Sequence, residues 1–188
     1  KAGVTLERQR GGGAARGIKT AIYEAHDFAE AFYHKILMED PRGEPARQYL
    51  ERRSIRRESW ERFRLGYSLD GEWTTFCEAA RGRGIKDEVL EKAGLARRSN
   101  RPGSTRLYDG FRGRVMVPIA DGQKRIIGFG ARTLGNDQPK YLNTPKTPVF
   151  DKSQVLYGLP LARQALEREK RLALVEGYTD VIAAHQEG

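Results

Sequence analysis

An α+β fold is predicted for this chain, and three observations predict it. The first is a set of apolar residues at three- and four-residue steps, Ile22, Ala25, Ala29, Phe32, Tyr33, Ile36 and Leu37, which gives a helix one apolar face. The second is a pair of β-rich runs, Arg114-Val-Met-Val-Pro-Ile119 and Lys124-Arg-Ile-Ile-Gly-Phe-Gly130, on either side of the hairpin-turn dipeptide Asp121-Gly122. The third is Leu172-Ala-Leu-Val-Glu-Gly-Tyr-Thr-Asp-Val-Ile182. Its four leading apolar residues read as a buried strand, Glu176-Gly177 breaks it, and a helix starts at Thr179. A carboxylate at the C-terminal lip of a parallel strand stands where α/β sheets place their chemistry. Gly177 lets the backbone turn there with no side chain in the way.

Taken in order, residues 1–19 hold Gly11-Gly-Gly13 and scattered Arg with no apolar period. They are expected to form a flexible basic linker, a composition equally compatible with a frayed terminus. The opening Lys1-Ala-Gly-Val-Thr-Leu6 lacks Met and reads as a cut. From Thr20 to Leu95 the pattern is helical. Asp40-Pro41 stops the first helix, because Pro disfavours helical geometry in the residue before it. A second helix over 45–52 turns Ala46, Tyr49 and Leu50 inward, and a short one through Trp60 to Phe63 takes Ser54 as its cap. Leu65 to Ser68 is expected to be extended, Trp73 to Ala80 helical, and Asp87 to Ala93 helical with Gly94 as the stop. Arg106 to Tyr157 is mostly strand. Pro118 within its run marks an edge strand or a bulge. Gly128 and Gly130 bracket Phe129, so one strand face is bare of side chains. Either a nucleic-acid strand comes close there or another segment of the chain packs into it. With no third glycine and no helix following, Gly128-Phe-Gly130 is not a dinucleotide fingerprint.

A chain of 188 residues with 38% hydrophobic and 31% charged residues fits a soluble globular protein of modest core. No run approaches a membrane span. Cys77 is the single cysteine, which excludes a disulfide framework and a cysteine zinc site and suits a small buried hydrophobe in a cytoplasmic protein. His26 and His34, eight residues apart, are too far along one helix for a shared metal and read as packing residues. The net charge is +9, from 34 Lys and Arg against 25 Asp and Glu, which suits a polyanionic partner or simply a solvated basic surface. The glycine-rich strand region is the more basic part, with Arg112, Arg114, Lys124, Arg125, Arg132, Lys140, Lys146 and Lys152.

Several motifs in a fixed order carry a family resemblance: Tyr108-Asp-Gly-Phe-Arg-Gly-Arg-Val-Met-Val-Pro-Ile119, Gly128-Phe-Gly130, Pro139-Lys-Tyr-Leu-Asn-Thr-Pro145, Leu156-Tyr-Gly-Leu159 and Glu176-Gly-Tyr-Thr-Asp180. From about Thr20 onward the chain resembles the RNA-polymerase core of bacterial DnaG-type replicative primases. The resemblance implies an α+β N-terminal basic subdomain over 20–157, followed over 158–188 by the first strand and helix of an α/β TOPRIM domain. It implies DNA-templated synthesis of short RNA primers from ribonucleoside triphosphates. The implied partners are a single-stranded DNA template and a replicative helicase, the latter met through a region absent here, with no membrane. The implied cofactor is Mg²⁺ or Mn²⁺ in a complete TOPRIM site, with zinc confined to a module upstream of this chain.

The same resemblance places Arg132, Lys140 and Lys152 along the groove for template and incoming nucleotide. Arg offers a planar fork for phosphate, and Lys a mobile point charge. Tyr141 and Asn143 flank Lys140, either stacking on a base and bonding to a sugar or phosphate or simply shaping turns. Arg112 and Arg114, at alternate strand positions, are weaker candidates. Where the family often has a basic residue this chain has Gly110, and Ser54 replaces a common Gly. Glu176 is the implied catalytic residue and first metal ligand, since nucleotidyl transfer needs a divalent ion and Mg²⁺ prefers oxygen ligands. Asp180, one turn on, is either a second ligand or a helix-terminal charge. The later aspartates of the family are not in this sequence, so the chain alone is expected to be inactive, with 158–188 packed loosely on the first domain or paired with another copy. Rival readings are another TOPRIM enzyme, such as a phage primase-helicase or a nuclease, and a non-catalytic single-strand-binding module. The latter calls for exposed aromatics alternating with cations.

Overall fold

The structure, a computed structural model, describes residues 11–99, 106–135 and 138–188. Helix α1 spans Gly11–Glu39. Its apolar stripe runs one turn further back than Ile22, because Ile18 also packs on the core. Residues 11–19, expected as linker, are therefore helical; the rest of that segment, 1–10, lies outside the described residues. The helix ends where Asp40 accepts the Arg42 N–H at 2.9 Å and a 3-10 turn, Pro41–Gly43, redirects the chain. Helices α2 (Glu44–Arg52) and α3 (Arg57–Arg62) follow. Ser54 is not the cap of α3. It takes the left-handed conformation at φ 56° within the turn before that helix, and Arg56 stands at the cap position.

Strand β1 (Gly66–Ser68) leads into α4 (Thr75–Gly82) and α5 (Asp87–Lys92). Gly94, at φ 72°, ends the α5 segment as expected. A two-stranded ribbon, β2 (Ala96–Arg98) with β3 (Leu107–Asp109), then precedes the long strands β4 (Arg114–Ala120) and β5 (Ile126–Thr133) and the short β6 (Tyr141–Asn143). The main sheet is antiparallel in the order β1-β4-β5-β6. Pro118 lies in an inner strand, yet β1 pairs only with Arg114–Met116, so at Pro118 the missing N–H faces no partner strand among the described residues. A register shift follows at once, between Ile119 and Ala120.

One sheet face, with Met116, Phe129 and Ala131, is covered by α1 through Ile22, Ala25, Ala29 and Tyr33. The helix crosses β1 closely at Gly66, where an added Cβ would lie 2.6 Å from Tyr33 Cβ. The other face, with Val115 and Val117, packs on Leu50, Ile55, Trp60 and Leu65 and on Ile182 of the last helix, α7 (Tyr178–Glu187). Helix α6 (Leu159–Glu169) precedes it. Between them, Leu172 to Val175 do not form the expected strand. A strand's backbone groups need a neighbouring strand, none pairs here among the described residues, and Leu174 is left 73% exposed.

Three buried polar side chains tie the layers. Asp109 of β3 accepts the N–H groups of Phe76 and Cys77 at 3.0 and 2.9 Å, closing the first turn of α4 from outside the helix. Burial pushes the Asp109 carboxyl and the neighbouring Cys77 thiol upward in pKa, and Cys77 is the buried hydrophobe its context suggests. His26 of α1 sets Nε2 3.0 Å from the Ala93 carbonyl and Nδ1 3.3 Å from that of Ile126, and His34 sets Nδ1 2.6 Å from the Leu65 carbonyl. Both are packing residues. Burial lowers the His26 pKa from 6.5 to about 4, against the pull of its two carbonyls. Unfolded chains therefore bind the extra proton first, and stability present above pH 6.5 is lost as pH falls toward 4. The loss over that window is about 3 kcal/mol. In urea titrations at stepped pH, His26→Gln is expected to flatten this acid limb relative to the unsubstituted protein; parallel limbs would show that His26 is not the group responsible.

Candidate nucleic-acid interface

Alternation along β5 puts residues 128, 130 and 132 on the face turned away from α1. Two of the three are glycines, and the trough they leave is filled by the chain itself. An added Cβ at Gly128 would lie 3.1 Å from Thr144 and 3.3 Å from Phe150; one at Gly130 would lie 2.3 Å from the ring of Tyr178. The bare face thus serves intramolecular packing. Thr144 also closes the β5 backbone, accepting the Phe129 N–H at 2.9 Å through its hydroxyl and donating its own N–H to the Phe129 carbonyl.

Beyond the glycines, Arg132 pairs across the ladder with Tyr141, and Gly130 with Asn143. Arg132 is only 7% exposed. Its guanidinium lies 4.7 Å from the Tyr141 ring centre and 5.8 Å from that of Tyr49. It makes no ion pair among the described residues, and its buried Nε and the Tyr49 hydroxyl have no hydrogen-bond partner there. Arg53 stacks on the same Tyr49 ring at 5.4 Å, so the order Arg53, Tyr49, Arg132, Tyr141 runs from α2 to β6. Desolvated cation–π contacts are worth roughly 2 kcal/mol each, against several kcal/mol for burying an unpaired charge. The guanidinium is thus stacked between two rings with no anion beside it among the described residues.

Tyr141, Asn143, Lys152, Glu176 and Asp180 line one open cleft of about 880 Å³, and Arg132, Tyr141 and Tyr178 line a narrow crevice beside it. Lys140 is exposed at the start of β6, its carbonyl accepting the Thr133 N–H at 3.1 Å. Lys152 opens a 3-10 turn (Lys152–Gln154) capped by Asp151, whose carboxyl is held down at about 2 by Lys146 and Ser153. Glu176 is exposed, at the edge of the cleft. Asp180 accepts the Gly177 N–H at 3.0 Å and so caps α7. Glu176 suits a hard divalent ion, Asp180 is partly engaged, and no three His, Cys, Asp or Glu side chains cluster as a metal site among the described residues.

The remaining candidates lie elsewhere. Arg114 is buried and donates to the Pro139 carbonyl at 2.9 Å, shaping the approach to β6. Arg112 stacks on Trp73 at 4.2 Å and on Tyr108 at 5.3 Å, in a separate aromatic group with Trp73 59% exposed. Sequence reasoning missed Tyr49, Arg53 and Tyr178. Tyr49 was an inward residue of α2, and the one signal was the Arg52-Arg53 doublet after it.

Residues 32–163 match the family model of the DNA primase catalytic core, N-terminal domain. The chain belongs to that primase core family. It is 40% identical over its full length to the DNA primase of Deinococcus radiodurans, covering 31% of that protein, and 41% identical over 90% of its length to that of Escherichia coli K12, covering 28%. The chain thus spans about a third of the curated relatives it matches. Among solved structures, a DnaG primase catalytic domain bound to single-stranded DNA superposes with a TM-score of 0.82 at 40% identity, over 91% of this chain and 54% of that one. The zinc-binding and RNA polymerase domains of Aquifex aeolicus primase superpose at 0.77 with 28% identity, over 95% of this chain and 41% of that one. The α+β primase-core fold expected from the motifs is the fold present.

The start of α7 is seated on the sheet where the Tyr178 ring fits over Gly130. Gly130→Ala is expected to push the ring out and destabilise the α7 contact by about 1–3 kcal/mol. Hydrogen exchange would show it as faster exchange of α7 amides, with α1 amides unchanged; unchanged α7 protection would show that the seat is not what holds the helix.

Proposed function

We propose that this chain works in DNA-templated synthesis of short RNA primers, supplying the groove for single-stranded DNA and nucleotide and the first metal-binding carboxylate. The observation that carries the reading is the buried guanidinium of Arg132, held between Tyr49 and Tyr141 without an anion among the described residues. Phosphate is the anion that a planar arginine fork receives best. Relatives named DNA primase and a structural neighbour bound to single-stranded DNA support the assignment. Lys140 and Lys152 extend the track as mobile charges, Tyr141 presents a ring beside them, and Asn143 offers hydrogen bonds. Residues 158–188 are the opening of a TOPRIM module. Glu176 would hold Mg²⁺ or Mn²⁺ together with later carboxylates, and the ion would neutralise the triphosphate and activate a 3′-hydroxyl. A replicative helicase and ribonucleoside triphosphates complete the proposed partners, in the cytoplasm at a replication fork.

If the track engages about three phosphates of a single strand, log K falls with log salt at a slope of roughly −2. Arg132→Ala and Lys140→Ala are expected to weaken binding well beyond Arg81→Ala, whose guanidinium is already bonded to Asp87 at 2.7 Å. Each removes one charge, so equal losses in an oligonucleotide titration at several salt concentrations would leave only a diffuse basic surface.

Glu176→Gln is expected to leave DNA binding by this chain unchanged. In a chain that also contains the later carboxylates it is expected to abolish incorporation of labelled ribonucleotide across a range of Mg²⁺, because Gln keeps the size and loses the charge. Normal incorporation by that variant would remove Glu176 from the metal site.

A further inference from the structure

We propose that Tyr178 is a positioning residue: its hydroxyl turns the Asn143 carboxamide so that the NH₂ group is left to donate to a phosphate oxygen in the cleft. The inference rests on the reading of the cleft given above. Tyr178 Oη donates to Asn143 Oδ1 at 2.6 Å. A carboxamide carries its acceptor oxygen and its two N–H donors on opposite sides, so holding Oδ1 against the Tyr178 hydroxyl turns the NH₂ group away from that ring. The Asn143 NH₂ group has no protein acceptor among the described residues, and Asn143 lines the cleft with Lys152 and Glu176. A group that meets two N–H donors and a lysine must be an acceptor and is best an anion. Phosphate meets both requirements, whether it comes from a DNA strand or from a nucleoside triphosphate.

The hydroxyl is held in place by the ring that bears it. Gly130 and Asn143 form one cross-strand pair, and the Tyr178 ring occupies the side-chain space that Gly130 leaves vacant. The Tyr157 ring meets it edge-on, with centroids 4.9 Å apart at 86°. Burial raises the Tyr178 pKa, so the phenol stays protonated and acts as the donor. At the far end of α7, Gln186 accepts the Arg56 N–H at 2.8 Å and the Ser59 O–H at 3.0 Å, and donates to the Ser54 carbonyl at 2.9 Å. With both ends fixed, the residue two before Tyr178, Glu176, is held at the cleft edge.

Two measurements test this. In ¹H–¹⁵N spectra of the free protein, Tyr178→Phe, which keeps the ring and removes the hydroxyl, is expected to move the Asn143 side-chain NH₂ pair toward solvent-exposed values. An unmoved pair would overturn the positioning role whether or not the protein binds DNA. Affinities for a short labelled oligodeoxynucleotide and for ATP are then measured in a double-mutant cycle. Tyr178→Phe is expected to weaken binding of one or both roughly threefold to tenfold, with the salt slope unchanged because no charge is lost. In an Asn143→Ala background the same change is expected to cost nothing further, whereas Lys140→Ala should flatten the slope by about 0.7 in either background. Additive losses from Tyr178→Phe and Asn143→Ala would overturn the proposal, since Tyr178 would then not act through Asn143. No binding of either ligand by the unsubstituted protein would overturn the reading of the cleft and with it the phosphate assigned to Asn143. The spectra would still decide whether Tyr178 holds the amide.

Discussion

Most of what matters in this molecule depends on a strand face that carries no side chains at two successive positions. Gly128 and Gly130 leave a trough in the sheet that cannot stay open, because an unfilled apolar hollow loses its contact partners on one side. Thr144 and Phe150 fill one end and Tyr178 the other. Filling it with Tyr178 draws the start of α7 onto the sheet and brings Ile182, one turn on, into the core, where it is 1% exposed. Glycine here acts by absence. A side chain at position 130 would meet the Tyr178 ring, so a packing requirement on one strand bears on the start of α7, two residues after the candidate ligand Glu176.

The charge distribution follows a similar logic. Much of the positive charge is already answered: Arg42 by Asp40 and Glu72, Arg81 by Asp87, Arg125 by Asp121, Lys146 by Asp151. Such exposed pairs contribute little to stability, about 0–1 kcal/mol each. They do remove those cations from competition for a polyanion. Arg132 is different because it is buried, stacked and without an anion among the described residues. A net charge of +9 favours polyanions in general; Arg132 is where the proposed phosphate contact would lie.

How much of this was legible in the chain depends on the range of the signal. The stripe from Ile22 to Leu37, the stop at Asp40-Pro41, the Asp121-Gly122 hairpin and the Gly94 terminus are all written within a few residues, and each stands where the pattern put it. The family was legible too, since five motifs in one order are matched by few unrelated chains. The basic residues next to β6 and the carboxylate before α7 were picked out on that resemblance. That Lys152 and Glu176 line one cleft was not visible, because they lie apart in sequence and come to it only through the fold.

The sequence by itself determined the helical and strand periodicities, the turns and the family, because those depend on neighbours along the chain. Tertiary structure decided the rest. It extended α1 back to Gly11, since Ile18 finds a core to pack on, and it placed Ser54 in a left-handed turn instead of at a cap. It left Leu172 to Val175 without strand pairing among the described residues, because a strand is a property of two segments and composition speaks for one. It used Arg114 to hold the Pro139 carbonyl and Arg132 to stack between two rings, although on a strand two arginines look alike. Only the third dimension brings a partner to one and withholds it from the other.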